Sequence, residues 1–151
     1  MTSRCFVINE WLLHDLLGEN GPDKRTQSYG LLRKIYKKCD HIAVLQESPW
    51  IEKAYKLMEQ SDLLSREISK FLRLNFLVNS KKCSLLNAAE IKPLAQELRK
   101  KIPEEKDVYL VETYISVEAE LLVTTDVKLQ KALLDSGINI ELREKFIGEY
   151  R

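Results

Sequence analysis

Asp107-Val-Tyr-Leu-Val-Glu-Thr-Tyr-Ile-Ser-Val-Glu-Ala-Glu-Leu-Leu-Val-Thr-Thr-Asp126 is the stretch whose reading decides the fold. Val108, Val111, Tyr114 and Ile115 share one face at helical spacing, so a helix is expected from about Asp107 to Glu118. Leu121 to Thr125 then reads as a short strand. A helix of about 11 residues rises ~16 Å, and a strand of about five residues running back at ~3.3 Å per residue covers roughly the same distance. Asp107 and Asp126, 126 − 107 = 19 positions apart, are therefore expected at the same edge of a sheet.

Outward from that stretch, strand-like and helix-like segments alternate. Cys5 to Ile8 and His41 to Leu45 are short apolar runs, the pattern of strands covered on both faces. Between them the turn Gly18 to Asp23 precedes a helix whose apolar positions Tyr29, Leu32, Ile35 and Tyr36 run as far as Lys38. Ile51, Ala54, Tyr55 and Met58 predict a helix after the second strand, and Leu64, Ile68, Phe71 and Leu72 another. Cys83 to Leu86 is a third strand after the polar break at Asn79 to Lys82, and Pro93 is expected to open a helix through Lys101. A last helix through Leu129, Ala132 and Leu133 is expected to end at Gly137, with a closing strand from Ile138 to Leu142. Alternation of this kind predicts an α/β fold with a central parallel sheet of about five short strands flanked by helices, its binding site at the carboxyl edge.

The chain has 151 residues, 44% of them hydrophobic, the size and composition of one domain spanning 1–151. Lys and Arg (24) nearly balance Asp and Glu (23), a formal net charge of +1 that excludes a strongly basic nucleic-acid coat, an acidic tail or a disordered polyelectrolyte. Cys5, Cys39 and Cys83 are odd in number and far apart, so neither a disulfide framework nor a zinc knuckle is expected, and a reducing cytoplasm fits best. No signal-peptide core and no run of 18 apolar residues occurs, so no membrane partner is expected.

Acidic residues gather at the expected carboxyl edge. Asn9 and Glu10 follow the first strand, Glu52 opens the helix after the second, and Asp107 and Asp126 join them. Carboxylates so crowded repel one another unless a cation sits among them, and an all-oxygen ligand set suits Mg²⁺ or Mn²⁺ better than zinc.

The segment Asp107 to Leu129, with an acidic residue opening a helix and a strand ending in Thr-x-Asp, resembles the closing signature of PIN domains. Phe6-Val-Ile-Asn-Glu-Trp11 is similar to the first strand of that family, and Gln46 to Glu52 to the region that supplies its glutamate. The resemblance implies a PIN-like three-layer sandwich and a metal-dependent endoribonuclease in which metal-activated water hydrolyses a phosphodiester. It implies metal-binding roles for Asp107, Asp126 and Glu52, and it matches Thr124 to the threonine of Thr-x-Asp. The first family aspartate falls on Asn9, whose amide offers an oxygen but no charge, so Glu10 is the residue expected to supply the missing carboxylate. Adjacent side chains on a regular strand point to opposite faces, so that substitution requires the backbone to have turned by Glu10. The implied partners are RNA, a small antitoxin-like protein and a second copy of the chain. The alternative is a catalytically silent PIN-like module that binds RNA or a protein.

Blander roles compete at each position. Asp126 also suits the N-cap of the following helix, Asp107 an acidic first turn, and Glu52 a solvated surface. Glu47, Glu112, Glu118 and Glu120 read as surface carboxylates, with Glu112 in reserve one turn beyond Asp107. His14 and His41 read as structural or surface residues, and Trp11 as core in preference to a base-stacking platform. The basic runs, such as Lys37-Lys38 and Arg99-Lys100-Lys101, read as solvated faces, and no dinucleotide or P-loop motif is present.

Overall fold

Four of the five strands are three- or four-residue runs, the length needed to cross a core between two layers of helices. The computed structural model describes residues 3–151. Strands β1 (Cys5–Ile8), β2 (His41–Leu45), β3 (Cys83–Leu86), β4 (Leu121–Thr124) and β5 (Ile140–Leu142) form one sheet in the order β3-β2-β1-β4-β5, with every pairing parallel. The helices are α1 (Trp11–Leu16), α2 (Pro22–Lys37), α3 (Pro49–Met58), α4 (Leu63–Leu72), α5 (Gln96–Lys101), α6 (Val108–Val117), α7 (Val127–Ala132) and α8 (Arg143–Glu149). The architecture is the expected α/β sandwich, with a five-stranded parallel sheet flanked by helices.

Alternation along β1 builds the two cores. Phe6 and Ile8 face one layer, where they meet Leu12, Leu32, Ile35, Trp50, Leu57, Ile68 and Phe146 from α1, α2, α3, α4 and α8. Cys5 and Val7 face the other, packing with Val108, Val111 and Tyr114 from α6, Leu129 from α7 and Leu133 just after it. Chain direction in the sheet reverses its lateral progress between β1 and β4, and at such a switch point the loops part to leave a crevice at the carboxyl ends.

Several boundaries differ from the sequence expectation. Helix α5 begins at Gln96 and not at Pro93, because the Lys92 backbone N–H donates to Ser116 Oγ at 2.8 Å and holds the preceding segment extended. Helix α7 stops at Ala132, and turns occupy 133–137 before Gly137 reverses the chain at φ +84°. Strand β4 ends at Thr124, one residue early, and β5 begins at Ile140, two residues late. Two helices had no counterpart in the sequence reading, α1 and α8, each only one to two turns long. Among the described residues no helix is long and apolar enough to cross a membrane.

Candidate functional site

The cleft at the switch point occupies about 510 Å³ and is lined by Asn9, Glu10, His14, Lys24, Lys106, Asp107 and Asp126, with Trp11, Asp15, Asn20, Thr125 and Arg143. Asn9, Glu10, Asp107 and Asp126 are thus brought to one edge, as the length arithmetic requires. Two indoles bond the ends of the central strands: Trp11 Nε1, in the cleft lining, donates to the Val123 carbonyl at 3.1 Å, and Trp50 Nε1 to the Ile8 carbonyl at 2.9 Å. Trp11 is 5% exposed and belongs to the core, where it spends its one donor on the end of β4.

The backbone has turned by Glu10, which sits in helical geometry at φ −61°, ψ −14° as the N-cap of α1. Its side chain is thereby released from strand alternation and enters the cleft, where Oε2 accepts a 2.9 Å hydrogen bond from the Tyr109 hydroxyl. Asn9 is spent on local order. Its Oδ1 accepts from the Glu10 backbone N–H at 2.6 Å and its Nδ2 donates to Thr124 Oγ1 at 3.2 Å. Thr124, fully buried, also accepts from the Asp126 backbone N–H at 3.1 Å, so its hydroxyl ties the ends of β1 and β4 together.

Asp126 does cap α7: its Oδ1 accepts from the Lys128 and Leu129 backbone N–H groups at 2.9 and 3.2 Å. Asp107 is different. It caps α6 in sequence but makes no side-chain cap bond, it is only 4% exposed, and its Oδ2 is buried with no hydrogen-bond partner. A buried carboxylate oxygen without a donor carries a desolvation cost unless a water, an ion or a ligand meets it. Burial raises the Asp107 pKa above the usual carboxylate value, helped by the charge of Asp126 and, more weakly, of Glu104 and Glu10, while Lys106 opposes. Burial and the neighbouring Glu10 carboxylate push the Tyr109 hydroxyl well above its ordinary value, so the phenol is always a donor.

Glu52 does not line this cleft. Trp50 and Ile51 are the residues that α3 buries at its start, and the next position, 100° further round the helix, is left exposed. Glu112 is likewise absent from the lining. Among the described residues, no three acidic, His or Cys groups are close enough to form a preassembled metal cage.

Of the cleft residues, Asp15, Asn20, Lys106 and Arg143 have no role in the sequence reading, while His14 is read there as structural or surface and Lys24 belongs to the basic runs read as solvated faces. The signal for His14 was its position four residues after Glu10, one turn along the same helix face, which is legible only once α1 is known to be a helix. Arg143 and Asp15 form a buried ion pair at 2.8 Å, side chains 2% and 1% exposed, beneath the cleft. Asp15 also accepts from Ser28 and Asn20, and Arg143 also donates to Gln27 and Glu144. His41 lies at the other end of β2, bonded to Ser3 Oγ at 2.9 Å.

No protein-family model and no curated protein matches the sequence. In structure the chain is similar to one from the crystal structure of VapBC2 from Rickettsia felis bound to a DNA fragment from their promoter, with a TM-score of 0.56 and 14% sequence identity over 91% of this chain and 98% of that one. At that identity the likeness is one of fold, and the fold shared is the parallel α/β sandwich described above.

Proposed function

We propose that this chain is a PIN-like nuclease, dependent on a divalent metal ion, that hydrolyses RNA. The observation that carries the reading is the buried Asp107 Oδ2, without a donor, in a cleft shared with Asp126 and Glu10. An all-oxygen set of Asp107, Asp126, Glu10 and the Asn9 amide fits Mg²⁺ or Mn²⁺. Such an ion, when bound, lowers the pKa of a water and offsets charge that develops on a phosphodiester. Around it Tyr109 holds Glu10, Thr124 holds Asn9 and the start of α7, and Lys24 and Lys106 supply positive charge for a phosphate backbone. The likeness to VapBC2 supports a toxin-type nuclease with a small antitoxin-like protein as partner.

Asn9, together with the lack among the described residues of three converging His, Cys or acidic groups, favours a second reading, a silent PIN-like module that binds RNA or a protein. Incubation of purified protein with labelled single-stranded RNA separates the two. The nuclease should cleave with Mn²⁺, stop with EDTA, and lose most activity in Glu10→Gln and in Asp107→Asn, whereas Asn9→Asp should not lower the rate. Wild type that binds RNA or a protein tightly but cleaves none of several RNAs sinks the nuclease reading.

A further inference from the structure

His14 stands one turn beyond Glu10 on α1, its backbone about 6 Å further along the helix axis, and lines the same cleft. It is 35% exposed at the side chain, and its Nδ1 is paired with Glu19 Oε2 at 2.5 Å. The pairing is built by the backbone. Gly18 at φ +84° reverses the chain after α1, and the Glu19 N–H donates to the His14 carbonyl at 3.1 Å, folding the carboxylate back onto the imidazole. A β-carbon at Gly18 is strained at that φ, which is why glycine occupies the turn. The His14 hydrogen bond holds the Glu19 carboxyl below its usual value, so the imidazole faces an anion. The pairing occupies Nδ1, and His14 is among the residues that line the cleft. An imidazole oriented by a carboxylate at the edge of an acidic cleft has the arrangement of a proton-transfer group.

We infer that His14, oriented by Glu19, is the general acid that protonates the leaving oxygen of the phosphodiester. The inference rests on the nuclease reading and assigns that reaction a residue outside its acidic set. Water attacks phosphorus and gives its proton to solvent. The bond from phosphorus to the leaving oxygen breaks, its electron pair stays on that oxygen, and the Nε2 proton of the imidazolium transfers to it. The products are a phosphomonoester and an alcohol, and neutral His14 regains its proton from solvent. Glu19 acts through His14 as a positioning residue.

The test compares RNA cleaved at a mapped site with the same RNA carrying sulfur in place of the leaving oxygen, because a thiolate departs without a proton. On the oxygen substrate His14→Gln should lower kcat by about 100-fold or more, and on the sulfur substrate it should come within about threefold of wild type. Glu19→Gln should show a smaller loss with the same recovery. Melting of both variants by circular dichroism verifies that they fold. Equal losses of His14→Gln on both substrates, or no loss on either, overturn the assignment while leaving the nuclease reading intact. Wild type inert on both substrates removes the nuclease reading and this assignment with it.

Discussion

The Tyr109 hydroxyl donates to Glu10 Oε2 across 2.9 Å, joining the first turn of α6 to the first turn of α1 over the carboxyl edge of the sheet. Asp107 is the N-cap of that turn of α6, so one phenol fixes the spacing between the two acidic residues on which the proposed metal site depends. Tyr109→Phe should cost about 1.5–3 kcal/mol in urea denaturation, the worth of a hydrogen bond to a charged acceptor. It should also weaken Mn²⁺ binding measured by calorimetry, since Glu10 loses the group that orients it.

Asp107 makes the metal-free protein sensitive to pH. Its folded-state pKa is raised, chiefly by burial and then by Asp126, so its favourable contribution is complete at low pH with the carboxyl protonated and is lost as pH rises through the raised value. Asp107→Asn removes that charge. Without metal the variant should exceed wild type in stability on the order of 1 kcal/mol at neutral pH, a few degrees in Tm, and the gap should close on acidification. A wild-type advantage at neutral pH in EDTA would contradict this.

Millimolar Mn²⁺ should reverse the order. At a concentration of about 100 times Kd, an ion bound only by the folded state adds ~2.7 kcal/mol, or roughly 5–10 °C in a chain of this size. Asp126→Asn should blunt the rise, as should Glu10→Gln. Glu52→Gln should leave it unchanged, because Glu52 is exposed and outside the cleft. Scanning calorimetry with and without the ion reads all three variants.

The Asp15–Arg143 pair supports the cleft from below with both side chains buried. Removing one partner strands a charge in the interior, so Arg143→Met and Asp15→Asn should each destabilise by about 3–5 kcal/mol in denaturant melts, and the double variant by less than their sum.

The three thiols should react in a fixed order. Burial pushes Cys5 up to about 11 and Cys83 up to about 12, whereas Cys39 is exposed. At about pH 8 a thiol reagent should label Cys39 alone in the native protein and all three in denaturant, because only accessible thiolate reacts. Mass spectrometry of the labelled peptides gives the assignment.

The alternation of strands and helices, the parallel sheet and the shared edge of Asp107 and Asp126 were legible in sequence because each follows from local period and element length. Val108, Val111, Tyr114 and Ile115 set the face of α6, and a strand as long as that helix brings the chain back to where α6 began. Local reasoning did not itself single out Glu52, which entered through the resemblance; the azimuth of α3 follows Trp50, whose indole reaches the Ile8 carbonyl 42 positions away. Local reasoning also missed α1, whose near-continuous apolar run Trp11-Leu12-Leu13 shows no helical period because the helix is buried on most sides. With α1 hidden, the turn that aims Glu10 into the cleft, its bond to Tyr109 and the fold-back of Glu19 onto His14 had no local signature. The lone oxygen of Asp107 was equally illegible. A sequence records that a carboxylate is present, but whether a donor meets it depends on every chain segment packed around it, and only the tertiary structure decides that.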